Sequence, residues 1–152
     1  MRIFFSFTIC GETFGLPLSS IETVVRSAQL LRLPKSSPEL LGLLDLRGVL
    51  IPIINIHARL NLPEQPIHAD QRIVVAHSEK CTVGFLADSV ESVQITEEAA
   101  SVASDTIYPD MDQYVRDIVW HNGSKILYCD PDKFLFVDPL DFTATPLTSD
   151  EG

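Results

Sequence analysis

Apolar residues in this chain come in short runs of about four to eight, and turn-forming residues break each run before a long helix can form. That spacing constrains the fold more than any other feature. A helix that buries one face needs roughly 10 or more residues, whereas a strand needs about five. The opening segment sets the style. Ile3, Phe5, Phe7 and Ile9 alternate with Phe4, Ser6, Thr8 and Cys10, a period of two with a mostly apolar inner face. Gly11-Glu12 predicts a hairpin turn into a second strand, Thr13 to Leu16, which Pro17 and Ser19-Ser20 interrupt. Glu22 to Leu31 reads as a third strand, ended by Leu33-Pro34 because proline lacks the donor a ladder needs.

Pro38-Glu39-Leu40-Leu41 reads as a single helical turn with proline at its first position, stopped by Gly42. Two apolar runs, Leu43 to Leu46 and Val49 to Ile54, flank Arg47-Gly48. Pro52 marks the second as an edge strand or a bulge. Ile56 to Leu62 reads as a short helix. Pro63 and Pro66 bracket a linker, which places an internal boundary near residues 63–70. Further strands are expected at Ile73 to Ala76, Thr82 to Leu86, Val90 to Ile95, Tyr114 to Trp120 and Ser124 to Cys129. Asp88 begins a turn, and Thr96-Glu97-Glu98 opens an acidic helical turn or loop. Asn122-Gly123 is a strong hairpin signal, since both residues tolerate positive φ. Pro131 to Phe136 reads as a terminal helix, and residues 143–152 as a mobile acidic tail. Many short strands with few helices indicate an all-β fold of small barrels or a sandwich.

Charge and composition exclude several functions. The chain has 152 residues, 21 acidic and 11 basic, for a formal net charge of −10. Such a surface repels phosphate backbones, so nucleic acid is not the expected partner. No apolar run approaches the ~20 residues that span a bilayer, and the N-terminus lacks the charged region and cleavage site of a signal peptide. A cytoplasmic protein without direct membrane insertion is expected. Cys10, Cys81 and Cys129 are odd in number and far apart, so neither a disulfide framework nor a zinc site is expected.

Catalytic and metal motifs are missing as well. His57, His68, His77 and His121 form no HExxH or HxH pattern and read as surface or strand-end residues. There is no phosphate-cradling glycine loop and no nucleophile elbow. Asp130, Asp132 and Asp138 have a calcium loop's residue types, but Pro131 and the apolar residues 134–137 break its ligand alternation. No cofactor or metal is expected. A small hydrolase using His121 or Cys129 is the enzymatic rival, yet no paired base and nucleophile supports it.

The run from Gly42 to Ile56 is less ordinary. Asp45 and Arg47 interrupt it, and strand alternation puts both on one side. They form either a solvated ion pair or an arginine displayed beside an apolar surface for a partner, and spacing alone does not choose. Here the sequence resembles a known family. Gly42-Leu43-Leu44-Asp45-Leu46-Arg47-Gly48, followed by Val49-Leu50-Ile51-Pro52-Ile53-Ile54-Asn55-Ile56, is similar to the signature of the CheW family. The opening Phe5-Ser6-Phe7 through Phe14-Gly15-Leu16-Pro17-Leu18 resembles the family's start, and Val83-Gly84-Phe85-Leu86-Ala87-Asp88-Ser89-Val90 its second-half motif. The likeness runs from Ile3 to about Leu140 in order and spacing.

The resemblance implies a CheW-like domain over residues 1–142, built as two five-stranded SH3-like β-barrels with a few short helices and a first strand open to sharing between the two. It implies a non-enzymatic adaptor between the cytoplasmic tip of a chemoreceptor and the regulatory domain of a CheA-type histidine kinase. The same scaffold in a kinase array for pili or development is the alternative. Leu18, Ile21, Thr23, Arg47 and Gly48 match family receptor-contact positions, and Gly42 a position associated with kinase docking. Two residues depart from the pattern. Thr23 stands where the family often has glutamate, and Asp45 where asparagine is usual, which bears on partner choice more than on fold.

Overall fold

The computed structural model describes residues 2–26, 29–31, 38–63, 65–67, 69–96, 113–121 and 123–138. Ten strands and two one-turn helices appear among them, in the order β1 (Arg2–Ile9), β2 (Glu12–Pro17), a 3-10 turn (Leu18–Ser20), β3 (Ile21–Arg26), β4 (Leu40–Leu46), β5 (Val49–Ile54), α1 (Ile56–Arg59), β6 (Arg72–His77), β7 (Thr82–Ala87), β8 (Ser89–Thr96), β9 (Val115–His121), β10 (Ser124–Cys129) and α2 (Pro131–Phe134). They make two five-stranded sheets, ordered β8-β1-β2-β10-β9 and β3-β6-β7-β5-β4. The fold is the expected all-β pair of SH3-like units.

The boundary between the units is not where the prolines suggest. The first sheet takes both ends of the chain, and the second takes β3 to β7. The chain changes sheets between β2 and β3 and again at Asp88, between β7 and β8. Residues 63–70 instead connect α1 to β6 inside the second sheet. Proline marks where ladder bonding stops, but it does not say which sheet the next strand joins. β1 pairs with β2 and β8 within the first sheet, so the two sheets do not share it as a ladder member.

What β1 does share is its two faces. Phe5, Phe7 and Ile9 enter a central core that also takes residues from the second sheet, while Phe4 turns the other way against Val119, Ile126 and Tyr128. β6 behaves alike. Val74 and Ala76 face the central core, and Ile73 and Val75 face Leu44, Ile51, Ile53 and Leu86. A strand buried on both faces reads as a continuous apolar run, which explains why so many segments lack clean alternation. Phe134 of α2 closes the central core, with ring centroids 5.5 Å from Phe85, 6.1 Å from Phe7 and 6.2 Å from Phe14. Each fully buried phenylalanine contributes about 1.5–3 kcal/mol relative to exposure. α2 starts on Asp130, whose side chain accepts from the Asp132 N–H, with Pro131 in the first turn.

Turn chemistry refines other expectations. Ile9 pairs with Glu12, so the first hairpin turns on Cys10-Gly11, with φ of 51° and 80°, one residue earlier than Gly11-Glu12. Two consecutive positive φ values belong to the hairpin turn that matches strand twist. The helical turn expected at Pro38 to Leu41 is not formed. Leu40 pairs with Ile54 at the start of β4, and the Glu39 carbonyl accepts from Asn55 N–H at 2.7 Å, so ladder pairing overrides the local helix signal. Pro52 lies opposite Leu43 in a strand with neighbours on both sides. It is tolerated because β5 meets β7 through the pair Ile53 and Gly84, beyond the proline.

Asp88 fastens the second crossing between sheets. Its N–H donates to the Thr8 carbonyl at 2.8 Å. Its carboxylate accepts from the Cys10 N–H at 2.8 Å and from Nε2 of the buried Gln71 at 3.2 Å. Leu33-Pro34, His68, the stretch from Glu97, Asn122 and the tail from Thr143 lie outside the described residues.

Candidate functional site

The Arg47-Gly48 pair forms the turn of the β4–β5 hairpin, with φ of 54° and 88° and Leu46 paired to Val49. A left-handed arginine is uncommon and is held by its surroundings. Asp45 supplies part of the hold: its Oδ1 accepts from the Gly48 N–H at 2.8 Å. Asp45 and Arg47 therefore do not share a strand face as alternation suggested, because Arg47 is a turn residue. The carboxylate serves the backbone, and Arg47 is exposed with no acidic partner among the described residues. An asparagine at 45 would offer the same acceptor oxygen, so this departure preserves the turn.

Beside the turn, Val49 is 59% and Leu50 47% exposed. Sequence reasoning missed these two. They belong to an apolar run whose remainder, Ile51 to Ile54, is buried, and period alone does not tell where a hairpin leaves the core. The result is a tip carrying one guanidinium and two aliphatic side chains.

Leu18, Ile21 and Thr23 lie on consecutive elements, the 3-10 turn and β3. Leu18 is exposed, whereas Ile21 is half-buried against the central core and Thr23 is half-buried opposite Val75. Sheet order puts β3 and β4 at opposite ends of the second sheet, but the chain beyond β3 returns to β4. Leu31 and Leu43 exchange backbone hydrogen bonds of 2.8 Å each, which tie the segment after β3 to β4. Among the described residues no hydrogen bond or ion pair ties the Leu18–Thr23 group to Arg47.

Gly42 is buried in β4 beside that bridge, with φ of 154°. A Cβ here would lie 2.6 Å from the Leu31 carbonyl oxygen and 3.1 Å from the Leu30 Cβ. The chain itself therefore denies room for a side chain, while Leu31, which Gly42 lets approach, is 51% exposed.

Side chains of the enzymatic rival are poorly placed for chemistry. Cys129 is fully buried, and burial followed by the charge of Asp130 pushes its thiol well above the usual range. A nucleophilic thiol needs the opposite environment. His121 packs edge-on against Phe4. His77 and His121 end β6 and β9 as expected, but His57 is buried in α1 rather than at the surface. Among the described residues, no three His, Cys, Asp or Glu side chains group to hold a metal. No helix among them is long and apolar enough to cross a membrane.

The profile of the CheW-like domain matches residues 4–137. The chain belongs to the CheW-like domain family. It is 27% identical over 114 residues to the chemotaxis protein CheW of Bacillus subtilis, covering 74% of this chain and 73% of that one. It is 29% identical over 133 residues to the chemotaxis protein CheW of Thermotoga maritima, covering 86% and 85%. The crystal structure of the scaffolding protein TtCheW from Thermoanaerobacter tengcongensis superposes with a TM-score of 0.79 over 93% of this chain and 92% of that one, at 19% identity. At that identity the likeness supports the fold.

Proposed function

We propose that this protein is a cytoplasmic, non-enzymatic adaptor that couples chemoreceptors to a CheA-type histidine kinase at membrane-associated receptor arrays. The observation that carries the proposal is the β4–β5 tip, where Arg47, without an acidic partner among the described residues, stands beside exposed Val49 and Leu50. An arginine beside aliphatic surface suits a receptor helical hairpin, which can set apolar residues on the aliphatic part and a carboxylate on the guanidinium. Leu18 and Ile21 would supply a second, separate apolar surface on the 3-10 turn and β3, with Thr23 beside them. The family relationship and the relatives named for chemotaxis support the same reading.

Gly42 belongs to the kinase side of this proposal, acting indirectly. It seats Leu30 and Leu31 against β4, and the exposed Leu31 is the surface a kinase regulatory domain would meet. Thr23, which lacks the carboxylate the family often carries, favours a second reading in which the same scaffold serves an array controlling pili or development. Co-sedimentation with receptor-containing membranes and the kinase from the same genome tests both. Ternary assembly with chemotaxis components supports the first, and assembly exclusively with the components of another array supports the second. Failure to bind either kinase overturns both.

A further inference from the structure

The short helix α1 carries a buried polar group that the fold leaves unsatisfied. His57 is only 7% exposed, and its Nε2 is closed off from water with no hydrogen-bond partner among the described residues. Folding strips such a nitrogen of its water without returning a bond, so the place is one where a group from outside the chain can supply it.

His57 forms part of the wall of a cleft of about 410 Å³, within the roughly 300–1,000 Å³ of small-molecule sites. Leu41 of β4 and Leu86 of β7 give the cleft apolar walls, and the exposed Ile67 adds another from the connection between α1 and β6. Asn55 and Gln71 line it too, but their amides are engaged. Asn55 Nδ2 donates to the Pro38 carbonyl and its Oδ1 accepts from the Ala58 N–H, each at 3.3 Å. Gln71 Nε2 donates to Asp88 at 3.2 Å. No lysine, arginine or carboxylate among the described residues lines the cleft, so a charged ligand would lose hydration there without meeting a counter-charge. None of the residues assigned above to receptor or kinase docking lines it.

We infer that this cleft is a binding site for a small uncharged molecule with an apolar body and one hydroxyl group, which bonds the His57 imidazole. A hydroxyl both donates and accepts, so it serves the ring whichever nitrogen carries the proton. Leu41, Leu86 and Ile67 take the apolar body. The hydroxyl then changes affinity by about two- to tenfold, the value of one net hydrogen bond.

Phenol and toluene, which exchange a hydroxyl for a methyl group on the same ring, are the probes. Each is titrated into the full-length protein and followed by the amide resonances of the residues around the cleft. Phenol should bind wild type saturably, shift the resonances of His57 and Leu86, and bind about two- to tenfold more tightly than toluene. His57→Phe keeps an aromatic ring and removes the nitrogens, so the two probes should bind it equally. Ile67→Ala, at an exposed position that folding does not depend on, should weaken both probes by a similar factor of about two to five while keeping their ratio. Lack of saturable phenol binding to wild type overturns the inference, as does equal affinity of wild type for the two probes. Discrimination that survives in His57→Phe, or phenol binding untouched in Ile67→Ala, overturns it as well. Each of these results leaves the docking reading intact, since the cleft shares no residue with it.

Discussion

Gly42→Ala should destabilise this protein far more than a methyl group usually does. The new Cβ would stand 2.6 Å from the Leu31 carbonyl oxygen, closer than such atoms approach, and that oxygen belongs to backbone rather than to a flexible side chain. Relief requires the Leu31 strand to move away from Leu43, which weakens two hydrogen bonds of 2.8 Å, each with a net value of about 0.5–1.5 kcal/mol. The backbone conformation adds its own cost. At φ 154° a residue with a Cβ pays about 1–3 kcal/mol that glycine does not. Leu31 is half exposed, so water replaces part of the lost bonding, and a total of about 3–4 kcal/mol follows. In a chain of this size each kcal/mol lowers Tm by about 2–4 °C, so thermal unfolding by circular dichroism should shift down by about 10 °C. A Tm within about 2 °C of wild type would refute the crowding argument. The same geometry governs Gly42→Asp: any loss of kinase binding must be measured well below its lowered Tm, where the folded protein has Leu31 displaced.

Three further outcomes follow from other contacts. Asp88→Ala leaves the Cys10 N–H and the buried Gln71 amide without their acceptor, a loss of about 2–4 kcal/mol in urea unfolding, while Asp88→Asn keeps one acceptor oxygen and loses less. Cys129 is neutral when folded, whereas in the unfolded chain a thiol ionises around its ordinary value of 9.0. Above that pH the unfolded state binds fewer protons than the native state, so stability falls by up to about 1.4 kcal/mol per pH unit, and Cys129→Ala should remove that part of the alkaline slope. The same burial predicts that iodoacetamide alkylates Cys129 after unfolding, and Cys10 and Cys81 earlier, as mass spectrometry of the labelled chain would show.

Much of the architecture was legible because turn residues act locally. Pro131 opens α2 where the sequence puts a helix start, and Gly11 turns the first hairpin within one residue of the expected place. Strand pairing was harder to read, because it depends on partners distant in the chain. Pro63 and Pro66 look like a boundary, yet the sheets exchange strands elsewhere, and Pro38 starts no helix because Leu40 finds Ile54. The site divides in the same way. Arg47 and Gly48 could be named from their motif, but the exposure of Val49 and Leu50 depends on where the hairpin outruns the core. The cleft beside His57 joins β4, α1 and β7, which no local pattern announces.

The central claim is that the Arg47 tip docks a receptor and not the kinase. Calorimetric titration of wild type and Arg47→Ala with a receptor cytoplasmic fragment, and separately with the kinase regulatory domain, tests it most directly. Truncating a central arginine costs about 2 kcal/mol, so receptor affinity should fall about thirtyfold. Kinase affinity and Tm should stay at wild-type values, since Arg47 makes no side-chain hydrogen bond or ion pair among the described residues. Thr23→Glu, measured alongside, should change receptor preference without changing kinase affinity. Equal receptor binding by Arg47→Ala and wild type, with unchanged melting curves, would contradict the account and leave Arg47 as a solvated turn residue.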